Sequence, residues 1–157
     1  MKRFTALFLC IVLIICMTVP VYAAENENTI VPFAYSPPTS SHSTPYMATI
    51  TNLEAGHLTY TKYYFSPTSE DLETYGVFYL TEDSDTSVSY RVKISLYRVG
   101  SSNIEDSYTT GYFTSSYGFT HTFENLDPDA YYYFTFQNIT ATSSLKNRSV
   151  MGDVKIA

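Results

Sequence analysis

Between residues 88 and 97 the chain alternates without a break. Val88, Tyr90, Val92, Ile94 and Leu96 interleave with Ser89, Arg91, Lys93, Ser95 and Tyr97. Successive side chains of a strand point to opposite faces, so this pattern predicts a strand with one dry and one wet face. Five apolar groups on one side demand a second layer to cover them. Elsewhere the pattern is looser but similar. Residues 47–51 and 57–65 read as strands, and residues 75–80 carry large side chains on both faces, as a strand near the middle of a sheet does. Residues 104–110 are polar enough for an edge strand. Phe119, His121 and Phe123 share one face, and Val150, Val154 and Ile156 point inward from a last strand. Breaks at 52–56, 66–71, 82–85, 100–103 and 138–147 separate these runs. The chain holds 16 Tyr, 10 Phe and no Trp, a composition suited to half-buried strands. The fold class predicted is all-β, an antiparallel β-sandwich of about seven strands.

The first 23 residues stand outside that fold. Met1-Lys2-Arg3 is a positive start, residues 4–19 are apolar apart from Thr5, Cys10, Cys16 and Thr18, and Val21-Tyr22-Ala23 offers a small-residue cleavage site. This is the pattern of a secretory signal peptide cut after Ala23, and the apolar run is short for a membrane anchor. Both cysteines leave with it, so the mature domain must hold together by its apolar core without disulfides. A cysteine-free exported domain suits a bacterial host, where the tripeptides starting at Asn138 and Asn147 carry no meaning as glycosylation acceptors. Lys2 and Arg3 leave too, so the nine cations fall to seven against 15 carboxylates, a net charge of −8. That sign argues against nucleic acid and anionic membrane surfaces as partners. Residues 24–45 form an extended lead-in, polar at first, with a short apolar patch at 30–33 and a Ser/Pro linker around Pro37-Pro38. They are expected to serve as a tether, the alternative being that the apolar patch adds an edge strand. Residues 46–157 are the sandwich domain.

One motif goes further. Leu126-x-Pro128-x-Ala130-x-Tyr132 resembles the Leu-x-Pro-x-Thr-x-Tyr corner of fibronectin type III and immunoglobulin-like sandwiches. The resemblance implies that Tyr132 bonds back to upstream backbone and locks a corner between sheets. It makes Leu126 a core plug and Phe134 and Phe136 core positions, and it turns Tyr131 and Tyr133 outward. Ala130 stands at the family's threonine position, and the family's core Trp has no counterpart. The absent cysteine pair excludes a disulfide-bearing immunoglobulin domain. The whole also resembles the small secreted sandwich proteins of Gram-positive bacteria, a resemblance that implies no activity.

Chemistry is sparse. The nucleophile elbow, the zinc-helix motif, the phosphate loop and the paired-cysteine motif are all missing. His42, His57 and His121 are far apart, and His121 on an apolar face reads as a core-edge histidine with a hydrogen-bond partner. No catalytic constellation and no cofactor is expected. Glu82, Asp83 and Asp85 form an acidic loop that could contribute to a calcium shell, with Asp127 or Asp129 adding oxygens, but four local donors fall short of one. Tyr60, Tyr63, Tyr64, Tyr131 and Tyr133 are the candidate contact residues, since exposed tyrosines can stack on sugars or anchor a protein interface. Against that stands simple cross-strand ring pairing.

The function expected is a secreted, non-catalytic binding or surface-interaction module for an extracellular protein or carbohydrate. The alternative is a membrane-active protein whose residues 110–123 refold as a barrel hairpin. The first step is directly measurable: N-terminal sequencing of the exported chain is expected to begin at Ala24, and an intact Met1 in the exported form would overturn the cleavage.

Overall fold

The structure, a computed structural model, describes Val31, Pro32, Ala34 and residues 36–157. The expected signal peptide and the start of the expected lead-in lie outside the described residues. Nine strands and no helix are found among the described residues: β1 (Val31–Pro32), β2 (Tyr46–Glu54), β3 (Leu58–Tyr60), β4 (Leu72–Leu80), β5 (Val92–Arg98), β6 (Ile104–Thr109), β7 (Ser116–Phe123), β8 (Tyr132–Asn138) and β9 (Ser149–Ile156). They form two sheets, ordered β1-β2-β9-β4-β7 and β3-β8-β5-β6. All pairings are antiparallel except that of β1 with β2.

The alternation at 88–97 does what the pattern predicts. Tyr90, Val92, Ile94 and Leu96 are fully buried, and Val88 packs at the rim of the core. The regular strand starts only at Val92; before it, Tyr90 makes a single bridge to Phe113. β6 is an edge strand, as its polarity suggests. β4 runs between β9 and β7, which explains its large side chains on both faces. At its centre Gly76 lies so close to the Asp153 carbonyl that a Cβ would collide with backbone. Gly152 of β9 sits under the Phe78 ring, which in turn stacks on Phe119 at 4.9 Å.

The Ile30-to-Phe33 patch gives the second outcome allowed for it. Val31 and Pro32 pair in parallel with Ala48 and Thr49, an edge strand and not a free tether. The chain then crosses to the other sheet, where Ala34 and Tyr60 exchange two backbone hydrogen bonds of 2.8 Å. Further on, the His42 amide donates to the Tyr64 carbonyl and the Tyr64 amide to the Ser40 carbonyl, both at 3.0 Å. A strap therefore covers the β2 and β3 edges. Its prolines supply no N–H groups, so it covers an edge without offering a full new one.

Residues 124–132 turn the chain from β7 in one sheet to β8 in the other. Asn125 takes a left-handed conformation with φ of 61°, which asparagine tolerates better than most residues. The Asp127 amide donates to the Tyr132 hydroxyl at 3.0 Å, and the Tyr132 backbone exchanges hydrogen bonds with Phe65 at 2.7 and 2.8 Å. Leu126 and Ala130 are buried at the corner, while Pro128 is exposed and its carbonyl accepts from Ser66. The side chain at position 130 must fit into packed surroundings, and the small Ala130 does. Tyr132→Phe removes one hydrogen bond from a residue only 3 % exposed and is expected to cost about 1–2 kcal/mol in chemical denaturation. Tyr131→Phe, with the same loss at an exposed position, is the control and should leave the midpoint nearly unchanged.

Candidate functional site

The outward face of the four-stranded sheet carries most of the predicted contact residues. Strand register puts Tyr97 of β5 opposite Tyr133 of β8, and Ile104 of β6 opposite Tyr97. Tyr60 of β3 reaches Tyr133 on the diagonal at 6.2 Å. One row thus crosses all four strands: Tyr60, Tyr133, Tyr97, Ile104. Above it lies a second group, where Tyr131 is 47 % exposed and Val99, whose amide donates to the Tyr131 carbonyl, is 42 % exposed. Tyr64 meets Tyr131 edge-on at 4.9 Å. Below the row, Thr135 and Ser95 are opposed in register and form a buried floor of small side chains.

Four of the five predicted tyrosines therefore come together: Tyr60, Tyr64, Tyr131 and Tyr133. Tyr63 does not join them. It turns toward the strap, edge-on to Tyr46 at 5.6 Å and beside His42 at 5.0 Å, with Lys62 over its ring. Between Thr61, whose amide bonds Phe134, and Phe65, whose amide bonds Tyr132, three residues lie against one of β8, and Tyr63 and Tyr64 leave in different directions, which a simple run of aromatic letters does not reveal. Tyr97, Val99 and Ile104 are additions. Tyr97 was legible as outward from the alternation, but its pairing with Tyr133 depends on register.

The ring geometry decides what this patch offers. Tyr97 and Tyr133 are parallel within 8° with centroids 5.3 Å apart. Two rings lying side by side in one plane could not approach so closely, so these are offset-stacked with faces against each other. The Tyr133 ring is flanked on its other side by Tyr60. One face of Tyr133 is therefore covered by Tyr97, which leaves less ring surface for a sugar to lie flat on. The surface exposes ring rims and hydroxyls, with apolar Val99, Ile104 and Tyr131 beside them. Burial raises the Tyr133 hydroxyl pKa, and the adjacent Tyr60 and Tyr97 hydroxyls raise it further. It stays a neutral donor at physiological pH.

The acidic loop has a different task from the one considered for it. The Asp85 carboxylate, 5 % exposed, accepts from the Ser87 hydroxyl and amide and from Lys146 at 3.2 Å, with Arg148 3.6 Å from its second oxygen. Its backbone is held as well, the amide donating to the Asn147 carbonyl and the carbonyl accepting from the Tyr90 hydroxyl. Asp85 thus clamps loop 81–91 to loop 139–148. Its oxygens face two cations of the chain itself, which repel a metal ion, and Glu82 and Asp83 point into solvent. Asp127 pairs with Arg98 at 2.7 Å. No group of three possible metal ligands is found among the described residues.

Nor do the histidines assemble. His121 stacks on Tyr108 at 4.6 Å and meets Phe123 edge-on at 4.7 Å, but its buried Nε2 lacks the hydrogen-bond partner expected of it. The crowding of rings at the β6–β7 seam leaves no polar group facing that nitrogen. His42 bonds the Ser43 carbonyl and His57 sits near Glu54 at the surface. Of the two tripeptides starting at Asn138 and Asn147, the first is structural. The buried Asn138 amide donates to the Leu53 and Arg148 carbonyls and accepts from the Thr140 amide.

No family model matches the chain, and no curated protein matches its sequence.

The Asp85 clamp gives a pH dependence of known sign. The Ser87 hydroxyl and amide, helped by Lys146, lower the Asp85 pKa from 3.8 to about 2. A group ionised more readily in the folded state stabilises it above the unfolded pKa and loses that contribution as pH falls through the folded one. The clamp should therefore be fully present above about pH 4 and vanish toward pH 2. Asp85→Asn is expected to lower the melting temperature at neutral pH and to flatten the acid limb of the stability profile between those values. An unchanged profile would show that the clamp contributes nothing.

Proposed function

We propose that the chain is an exported, non-catalytic binding module, and that its contact surface is the tyrosine patch on the four-stranded sheet. The observation that carries this reading is the gathering of Tyr131, Val99 and Ile104, each nearly half exposed, beside the Tyr60-Tyr133-Tyr97 row. Scattered exposed apolar residues mean little, but a contiguous group rimmed by hydroxyls is what an interface core requires. Tyrosines prepaid in one rotamer by mutual stacking lose little freedom on binding. The stacking also favours a protein over a carbohydrate partner, because flat sugar stacking needs free ring faces. The signal-like first 23 residues support export, with action outside the cell.

The relation to fibronectin type III and immunoglobulin-like domains is part of the same proposal. The Tyr132 hydroxyl bond and the two-sheet architecture support it. The strand order departs from it at one place. In an immunoglobulin sandwich the strand following the tyrosine corner is flanked by the last strand of the chain. Here β8 is flanked by β3 and β5, and the last strand, β9, lies within the opposite sheet. We read the domain as a corner-locked sandwich of that general type whose last strand lies in the other sheet, its place beside β8 taken by β3. The membrane-active alternative finds less support. Residues 110–123 contain one strand, β7, whose Phe119 and Phe123 are buried between the sheets, and they form no hairpin in this fold.

Residues 24–157, immobilised and presented to extracellular protein fractions and to a glycan array, test the reading. Capture of a protein partner is expected, with Tyr131→Ala and Val99→Ser each costing about 2 kcal/mol of binding and leaving the melting temperature within a degree or two. Binding that survives both substitutions would move the site elsewhere. Silence against proteins with a positive glycan signal would return the patch to carbohydrate recognition.

A further inference from the structure

A glycine inside a strand weakens it and needs a reason. The chain has six glycines, and five have one. Gly56 and Gly100 take a positive φ, and a Cβ on Gly76, Gly111 or Gly152 would collide with a neighbouring group. Gly118, in the middle of β7, has neither reason. A Cβ there would meet nothing nearer than the Gly76 carbonyl at 4.0 Å. The fold does not require glycine at this place. What remains is that something from outside comes close to the backbone.

Gly118 is exposed on the outward face of the five-stranded sheet and lines a shallow depression of about 440 Å³. The β4–β7 and β4–β9 ladders run without a register break, and they fix its walls. Thr120 of β7 and Lys155 of β9 stand on either side of Tyr75 of β4, and Gly118 lies on the diagonal. Gly76 and Phe119 are opposed between these rows and floor the depression with backbone, the Phe119 ring being buried beneath. Tyr75 is the upright wall. The Lys155 ammonium lies over one face of its ring, 5.4 Å from the centroid, and holds it from the β9 side. The other face therefore turns toward β7 and the depression. No ring among the described residues packs on Tyr75, whereas Tyr133 has Tyr97 stacked against it.

The lining thus consists of one tyrosine face, one threonine hydroxyl and bare backbone, with no charged side chain. A phosphate or carboxylate would find no cation there, since Lys155 lies across the ring. A wholly apolar ligand would be left half in water, because the depression is open. A sugar ring meets both conditions: its C–H face lies on the tyrosine, and its hydroxyls reach Thr120 and solvent. We propose that this depression is a saccharide subsite, in which one neutral sugar unit stacks on the β7-facing side of Tyr75, above Gly118, with the Thr120 hydroxyl bonding its rim. Any side chain at position 118 would stand where the sugar lies. Nothing in this rests on the tyrosine patch, which belongs to the other sheet.

Amide NMR titration of residues 24–157 with neutral oligosaccharides of glucose, xylose, mannose and galactose, each at millimolar concentration, tests the proposal. At least one is expected to shift the amides of Tyr75, Gly118 and Thr120 saturably and to leave those of Tyr97, Tyr131 and Tyr133 in place. Tyr75→Leu keeps apolar bulk without the ring face and should raise the dissociation constant roughly tenfold. Gly118→Val should abolish binding while the melting temperature stays the same or rises, because valine suits a strand better than glycine. A purely structural role for the glycine would give the opposite pair of effects. Tyr131→Ala, in the patch on the other sheet, should bind the sugar as wild type does. Silence of the whole panel overturns the proposal, as do saturable shifts centred on the tyrosine patch. So does a Gly118→Val variant that still binds, or one that melts lower, since the glycine would then serve the fold.

Discussion

Two sheets with no covalent link between them are joined here by aromatic rings. Phe123 of β7 meets Phe134 of β8 edge-on at 5.3 Å, Phe78 of β4 reaches Phe136 of β8 at 6.4 Å, and Tyr46 of β2 lies 5.1 Å from Phe65. Immunoglobulin domains cross the same gap with a disulfide packed on a tryptophan. This chain has no tryptophan, and both of its cysteines precede residue 24; it fills the space with phenylalanine from both sides. Each ring buries a large apolar area and gains further from its neighbours' edges. The features at the periphery depend on that seam. The corner at Tyr132 and the clamp at Asp85 fix loops onto a core that already exists, one at each end of the sandwich.

The sequence reveals this fold to the extent that facing does. Alternation at 88–97 and 150–156 marks inward residues, and all of them except Val88 at the rim are found buried, together with Ser95 from the outward set. It marks the corner because a short motif there needs a hydroxyl at a fixed offset. It does not show partners. Whether β8 lies beside β3 or β9 depends on which side each long connection crosses, and nothing in the residues 139–148 encodes that choice visibly. The strap was ambiguous for a related reason. Ile30-Val31-Pro32-Phe33 is apolar enough to dock but too short for a period, so its pairing is settled by an open β2 edge that only the assembled sheet provides.

The contact patch shows the same limit more sharply. Tyr131 and Tyr133 read as outward because Tyr132 reads as inward, a conclusion that needs only the period of two. Tyr97 could be read as outward in the same way. That Tyr97 and Tyr133 face one another is a matter of register, and register decides whether their rings are platforms or each other's cover. The acidic loop shows the limit too. Glu82-Asp83-Ser84-Asp85 suggests free carboxylates, but Lys146 and Arg148, about sixty residues on, return to neutralise Asp85.

The two sides of the sandwich use opposite solutions to one problem. A sheet edge exposes unpaired amides, and a folded chain must prevent their use by other chains. On the β2–β3 side the lead-in is long enough to lie across both edges, and its prolines keep the cover from becoming a template. On the β6 side no spare segment exists, because residues 110–115 are consumed in crossing to β7. A side chain must do there what a strap does elsewhere. The Asp106 carboxylate caps one amide there, that of Ser107, and the β5–β6 ladder skips Glu105, an irregularity of the kind that spoils an edge for pairing. A cover of backbone is permanent, whereas a cover made by one carboxylate can be displaced.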